Sequence, residues 1–132
     1  MFLIDSSAWI EYFRPNGSTK VKEKIRDAIQ KEGVVCCGII VVEILRGARN
    51  DNDYQLLKDA LLSLPQILLD ETVIKNAAEW GFILDRKGET VSTTDLFIAA
   101  ASYKKATILH LDSDFQRLAL YVDIAQEKIS LE

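Results

Sequence analysis

The chain of 132 residues is 48% hydrophobic and 27% charged, with a net charge of −4 at pH 7. This length and balance describe one globular domain over residues 1–132, and they exclude a disordered chain. No apolar run nears the roughly 18 to 20 residues of a membrane span, and the acidic balance argues against a generally basic nucleic-acid binder; it leaves room for a nuclease whose acids are neutralised by metal.

In chain order, Met1 leads straight into FLI, so a buried strand over residues 2–5 is expected and a signal peptide is not. The strand ends on Asp5, which either caps the next segment or forms one corner of a site. Residues 14–18, RPNGS, are turn chemistry centred on Asn16-Gly17. Val21, Ile25, Ala28 and Ile29 keep helical spacing, which predicts an amphipathic helix over 19–31. After Gly33, VVCC is a second buried strand. Its adjacent Cys36 and Cys37 are read as buried thiols of a reducing cytoplasm, because disulfide geometry separates Cα atoms more than neighbours on a strand allow. A single histidine and the lack of zinc spacing exclude a Cys/His metal site.

Glu43 to Arg49 reads as helix, while periodicity leaves residues 38–42 open between strand and loop. Asp51-Asn52-Asp53 offer caps for a helix with Tyr54, Leu57, Leu61 and Leu64 on one face, stopped by Pro65. QILL (66–69) is a strand. Asp70 caps a helix whose stripe is Val73, Ala77, Trp80 and Leu84, ending at Arg86, Lys87 and Gly88. The loop ETVST leads into the helix TTDLFIAAASYKK, followed by the strand ATILHL (106–111), the short helix DSDFQRLAL and an edge strand at YVDIA (121–125). Continuously apolar strands separated by helices describe βαβ units, so the expected fold is a three-layer α/β/α sandwich with a central parallel sheet. In such folds, ligands gather beyond the carboxyl ends of the strands.

The acids follow that rule. Asp5 comes after FLI and Asp112 after ILHL, with Asp114 two residues on. Glu43 interrupts the apolar GIIVVEIL, where a buried carboxylate needs a partner; an ion pair with Arg46, three residues away, is the structural alternative to a functional role. Asp95 opens a helix for which Thr93 or Thr94 is available as N-cap. A parallel sheet would bring these acids together. Carboxylates at one point repel unless a hard cation sits among them, and oxygen ligands select Mg²⁺ or Mn²⁺. Phosphodiester hydrolysis is the usual chemistry of such sites.

The ordered set FLIDSSAWIEYF, VVEILRGA, TTDLFIAA and ILHLDSDF resembles the PIN-domain nucleases, and within them the VapC-type toxins of toxin–antitoxin pairs, across essentially the whole chain. The resemblance implies a Mg²⁺- or Mn²⁺-dependent endoribonuclease. As the toxin of a type II pair, it would hydrolyse RNA phosphodiester bonds, inhibit translation and act in the cytoplasm. It carries metal-ligand roles onto Asp5, Glu43 and Asp95, with Asp112, Asp114 or both completing the pocket. Strand-end geometry favours Asp112, so the expected metal set is Asp5, Asp95 and Asp112; Glu43 then orients or deprotonates water or binds a second ion. Ser7 matches a hydroxyl that supports the pocket, and Thr94 is a second candidate for that role. The resemblance also implies a homodimer and a VapB-type antitoxin that presents an arginine to the carboxylates.

Trp9 and His110 are read as core residues. Arg14, Arg46, Arg49, Arg86, Lys87 and Arg117 are available for phosphate contacts, with Arg46 and Arg49 favoured because they follow Glu43. Two rival classes fit less well. An adhesion-type cation-binding module would want Ser where Trp9 stands, and a haloacid-dehalogenase phosphatase would want Asp in place of Ser7. A catalytically inactive PIN-like module is the remaining alternative.

Overall fold

The structure, a computed structural model, describes residues 1–131. Along the chain run β1 (Phe2–Ile4), α1 (Ser6–Phe13), α2 (Thr19–Asp27), β2 (Val34–Cys37), α3 (Gly38–Arg46) and α4 (Asp51–Leu62). They are followed by β3 (Gln66–Ile67), α5 (Glu71–Arg86), α6 (Thr93–Ser102), β4 (Thr107–His110), α7 (Ser113–Leu118) and β5 (Gln126–Lys128). The strands form one parallel sheet in the order β3-β2-β1-β4-β5. Successive strand residues face opposite sides of a sheet, yet Phe2, Leu3, Ile4, Val34, Val35, Cys36 and Cys37 are all buried. Helices therefore cover both faces, giving the three-layer sandwich that the apolar strands predicted.

The strand order decides where a site can form. From β1 the chain passes outward to β2 and β3, then returns on the other side of β1 to form β4 and β5. The neighbours β1 and β4 are thus a topological switch point, where the connections diverge and leave a crevice at the carboxyl edge. Their register sets Phe2 against Thr107, Leu3 against Ile108 and Ile4 against Leu109. The ladder continues one step further, since the Asp5 amide donates to the Leu109 carbonyl at 2.9 Å. Asp5 is pinned at the mouth of that crevice.

Several local expectations are corrected. The helix predicted over 19–31 is α2 followed by a wider π turn at Ala28–Glu32, closed by Gly33 at a φ of 82° that few other residues adopt. Residues 38–42 belong to α3. The last edge strand forms at Gln126–Lys128 rather than over 121–125, because Tyr121 and Val122 instead turn back on α7, their amides bonding to the Leu118 carbonyl. The strand at QILL keeps only its first two residues. Gly17 sits where a Cβ would overlap the Glu11 carbonyl oxygen, so the turn between α1 and α2 needs glycine for close backbone approach. Cys36 and Cys37 are free and buried, and burial pushes the Cys36 thiol up to about 12.

Candidate active site

Asp5 is the floor of the crevice, only 4% exposed. Its Oδ2 accepts the Ser7 amide at 3.2 Å, capping α1, and the Ser7 hydroxyl at 2.7 Å. Ser7 Oγ in turn accepts the Leu111 amide at 3.2 Å, so one hydroxyl ties the ends of β1 and β4 together. Burial pushes the Asp5 carboxyl above the usual carboxylate range, and the hydrogen bonds from Ser7 oppose that shift.

Three more acids stand above it. Asp95, Asp112 and Asp114 each offer a ligand atom, and these atoms lie within 4.8 Å of one another. Asp112 caps α7 by accepting the Asp114 amide at 2.9 Å. Asp95 lies in the first turn of α6, where its amide donates to Ser92 Oγ at 3.1 Å. Ser92 is therefore the N-cap, in place of the expected Thr93 or Thr94, and Thr94 makes no side-chain hydrogen bond among the described residues. Desolvation, then the charges of Asp5 and Asp112, push the Asp95 carboxyl up to about 6.

Glu43 stands opposite on α3. It is exposed, not buried as its place in GIIVVEIL suggested. The helical period turns Ile40, Val41 and Ile44 inward and leaves Val42, Glu43 and Arg46 outside. No ion pair joins Glu43 to Arg46 among the described residues. Partial desolvation and the Asp5 charge raise the Glu43 carboxyl, while the polar Ser6 side chain opposes the rise. Ser6 escaped the sequence reading. Its only signal was position, immediately after the first acid and beside Ser7.

His110 is fully buried and fully engaged. Its Nδ1 accepts the Asp112 amide at 3.1 Å, so Nε2 carries the proton toward Gln126 Oε1 at 2.7 Å. It orients the Asp112 backbone from behind. Trp9 is likewise core, stacked on Phe13 with ring centroids 5.4 Å apart. Arg117 is not free for phosphate: it binds Asp114 at 3.3 Å, Glu89 at 3.0 Å and the Thr90 carbonyl at 2.7 Å.

Four acids thus face one switch-point crevice, with a fifth across it, and a PIN domain model matches residues 2–120. The chain belongs to the PIN-domain family. VapC ribonuclease Mb1587 of Mycobacterium bovis is 39% identical over 124 residues, which is 90% of this PIN domain chain and 92% of the relative. Two solved structures share the fold. VapBC2 from Rickettsia felis, bound to a DNA fragment from its promoter, has a TM-score of 0.81 at 16% identity, covering 98% of each chain. FitAcB from Neisseria gonorrhoeae has a TM-score of 0.79 at 23% identity, covering 96% of each chain. No described helix of this PIN domain is long and apolar enough to cross a membrane.

The donor set fits a hard divalent cation. The approaching groups are all carboxylate oxygens; burial first, and the charges of Asp5, Asp112 and Asp114 after it, raise Asp95, and a counter-charge among them would relieve the repulsive part.

Proposed function

We propose that this PIN domain is a Mg²⁺- or Mn²⁺-dependent endoribonuclease, acting in the cytoplasm as the toxin of a toxin–antitoxin pair and stopping translation by cutting RNA. The observation that carries this reading is the convergence of Asp95, Asp112 and Asp114 within 4.8 Å beyond the β1/β4 switch point. The relatives named VapC ribonucleases support RNA as the substrate.

Asp5, Asp95 and Asp112 would hold the cation, with Asp114 as the further ligand. When bound, the ion supplies a Lewis acid that lowers the pKa of water and neutralises phosphate charge. Glu43 takes the proton of the attacking water. Its raised carboxyl is a stronger base than an ordinary glutamate. Ser7 holds Asp5 in place, and His110 holds the Asp112 amide. Beside Glu43 opens a cleft of about 290 Å³ with Ile10, Phe13 and Leu57 on its walls and Arg14 and Arg49 at its rim. The Arg49 guanidinium pairs with no acid among the described residues, which suits it to an RNA phosphate flanking the cut.

The partners follow the same reading. A VapB-type antitoxin would cover the acids with a cationic side chain, consistent with neighbours solved as VapBC complexes. A second copy of the chain would cover part of the apolar surface left by Leu56, Ile74, Phe82 and Ile83. The test is direct. Purified protein should cut structured RNA with Mn²⁺ and stop in EDTA, and Asp5→Asn or Asp95→Asn should lower the rate at least about 100-fold. Cleavage that persists in chelator would remove the metal mechanism.

A further inference from the structure

Among the described residues, Arg117 is the one cation within ion-pair distance of an acid of the site. Its guanidinium reaches two segments far apart in sequence. On α7 it meets Asp114 Oδ1 at 3.3 Å. On the loop between α5 and α6 it meets Glu89 Oε2 at 3.0 Å and the Thr90 carbonyl at 2.7 Å. Tyr121 completes the construction, its hydroxyl donating to the other Glu89 oxygen at 2.8 Å. That loop runs into Ser92, the cap of α6, and so into Asp95.

The network therefore straddles the gap between two helix ends that carry like charges. Asp95 at the start of α6 and Asp112 and Asp114 at the start of α7 repel one another, which drives these ends apart. An isolated, one-third exposed ion pair would add little to stability. A fork that grips both helix approaches at once does something else: it sets their spacing. Only arginine presents several donors in one rigid plane.

We propose that Arg117 is a positioning residue that, with Glu89 and Tyr121, fixes the separation of the α6 and α7 N-termini and so aligns Asp95 with Asp112 and Asp114 for a divalent cation. This rests on the metal-dependent reading above. The sign of the effect separates positioning from charge. Deleting a cation beside an acidic cluster should tighten metal binding by charge alone; loss of alignment should weaken it.

The experiment is calorimetric titration of Mn²⁺ into the full chain, wild type and Arg117→Gln, Arg117→Lys and Tyr121→Phe, each with a thermal melt. Arg117→Gln and Arg117→Lys should both weaken Mn²⁺ binding about tenfold, as loss of a group supporting metal ligands typically does. Tyr121→Phe, which touches no acid of the site, should weaken it about threefold with the melting temperature unchanged. Binding as tight as or tighter than wild type in Arg117→Gln, or full rescue by Arg117→Lys, overturns the proposal. If the Arg117 variants melt early, Tyr121→Phe decides, and unchanged Mn²⁺ binding in it counts against positioning. Wild type that takes up no Mn²⁺ would overturn the metal reading itself, and this inference with it.

Discussion

Asp5 caps α1 through the Ser7 amide and also lies beneath the other carboxylates, so its capping and its place in the site are one arrangement. The charge is tolerated there because the first-turn dipole of α1 and two Ser7 donors oppose the cost of burial. Asp95 has less help and is pushed up to about 6. Its folded pKa lies above the unfolded value of 3.8, so the native state binds more protons between those pH values. In chelator, stability should therefore fall as pH rises from about 4 through about 6. Asp95→Asn should remove this penalty. The variant should be more stable than wild type by about 1 to 2 kcal/mol at pH 7.5, after discounting for partial exposure, and nearly equal to it at pH 4. Urea melts at the two pH values measure both; a variant less stable at pH 7.5 would contradict a cost from burial and repulsion at Asp95.

At the scale of elements, three of the acids stand at helix N-termini: Asp5 at α1, Asp95 in the first turn of α6 and Asp112 at α7. The helix ends supply partial positive charge where carboxylates crowd, and this offsets part of their repulsion. The turn between α1 and α2 holds the far side of the same helix. There Glu11 Oε1 accepts the Ser18 amide at 2.8 Å, and Gly17 packs on the Glu11 backbone. Gly17→Ala forces backbone against a methyl group and should cost about 1 to 3 kcal/mol in a denaturant titration. A neutral result would mean that the turn shifts freely. Because α1 also begins at Asp5, the variant should lose some cleavage as well as stability.

For the whole molecule, the crossover of the chain about β1 brings acids from positions 5, 95, 112 and 114 to one crevice, with Glu43 across it. A cation that binds only this folded arrangement should stabilise it. Mn²⁺ at about 100 times its dissociation constant should add about 2.7 kcal/mol, and the gain should shrink at pH 5, where a protonated Asp95 is a poor ligand. Melts with Mn²⁺ against EDTA at pH 5 and 8 test this. An equal gain at both would show that Asp95 does not take part.

The apolar strands, the small-residue helix around Ala99–Ala101 and the positions of the five acids were legible in one dimension, because burial on both faces and strand-end placement leave direct marks on residue order. Glu43 marks where that legibility stopped. An apolar run looks the same for a strand as for a helix, and only packing turned it outward. The Ser92 cap and the capture of Arg117 by Glu89 and Thr90 were likewise settled by tertiary structure, since each depends on which of several equivalent side chains the fold brings within reach. Residue order alone determined the kinds of groups available and, where strands are buried on both faces, that helices must cover them. Distances across elements, and hence which acids stand together and which arginine is already paired, exist only once the sheet has assembled.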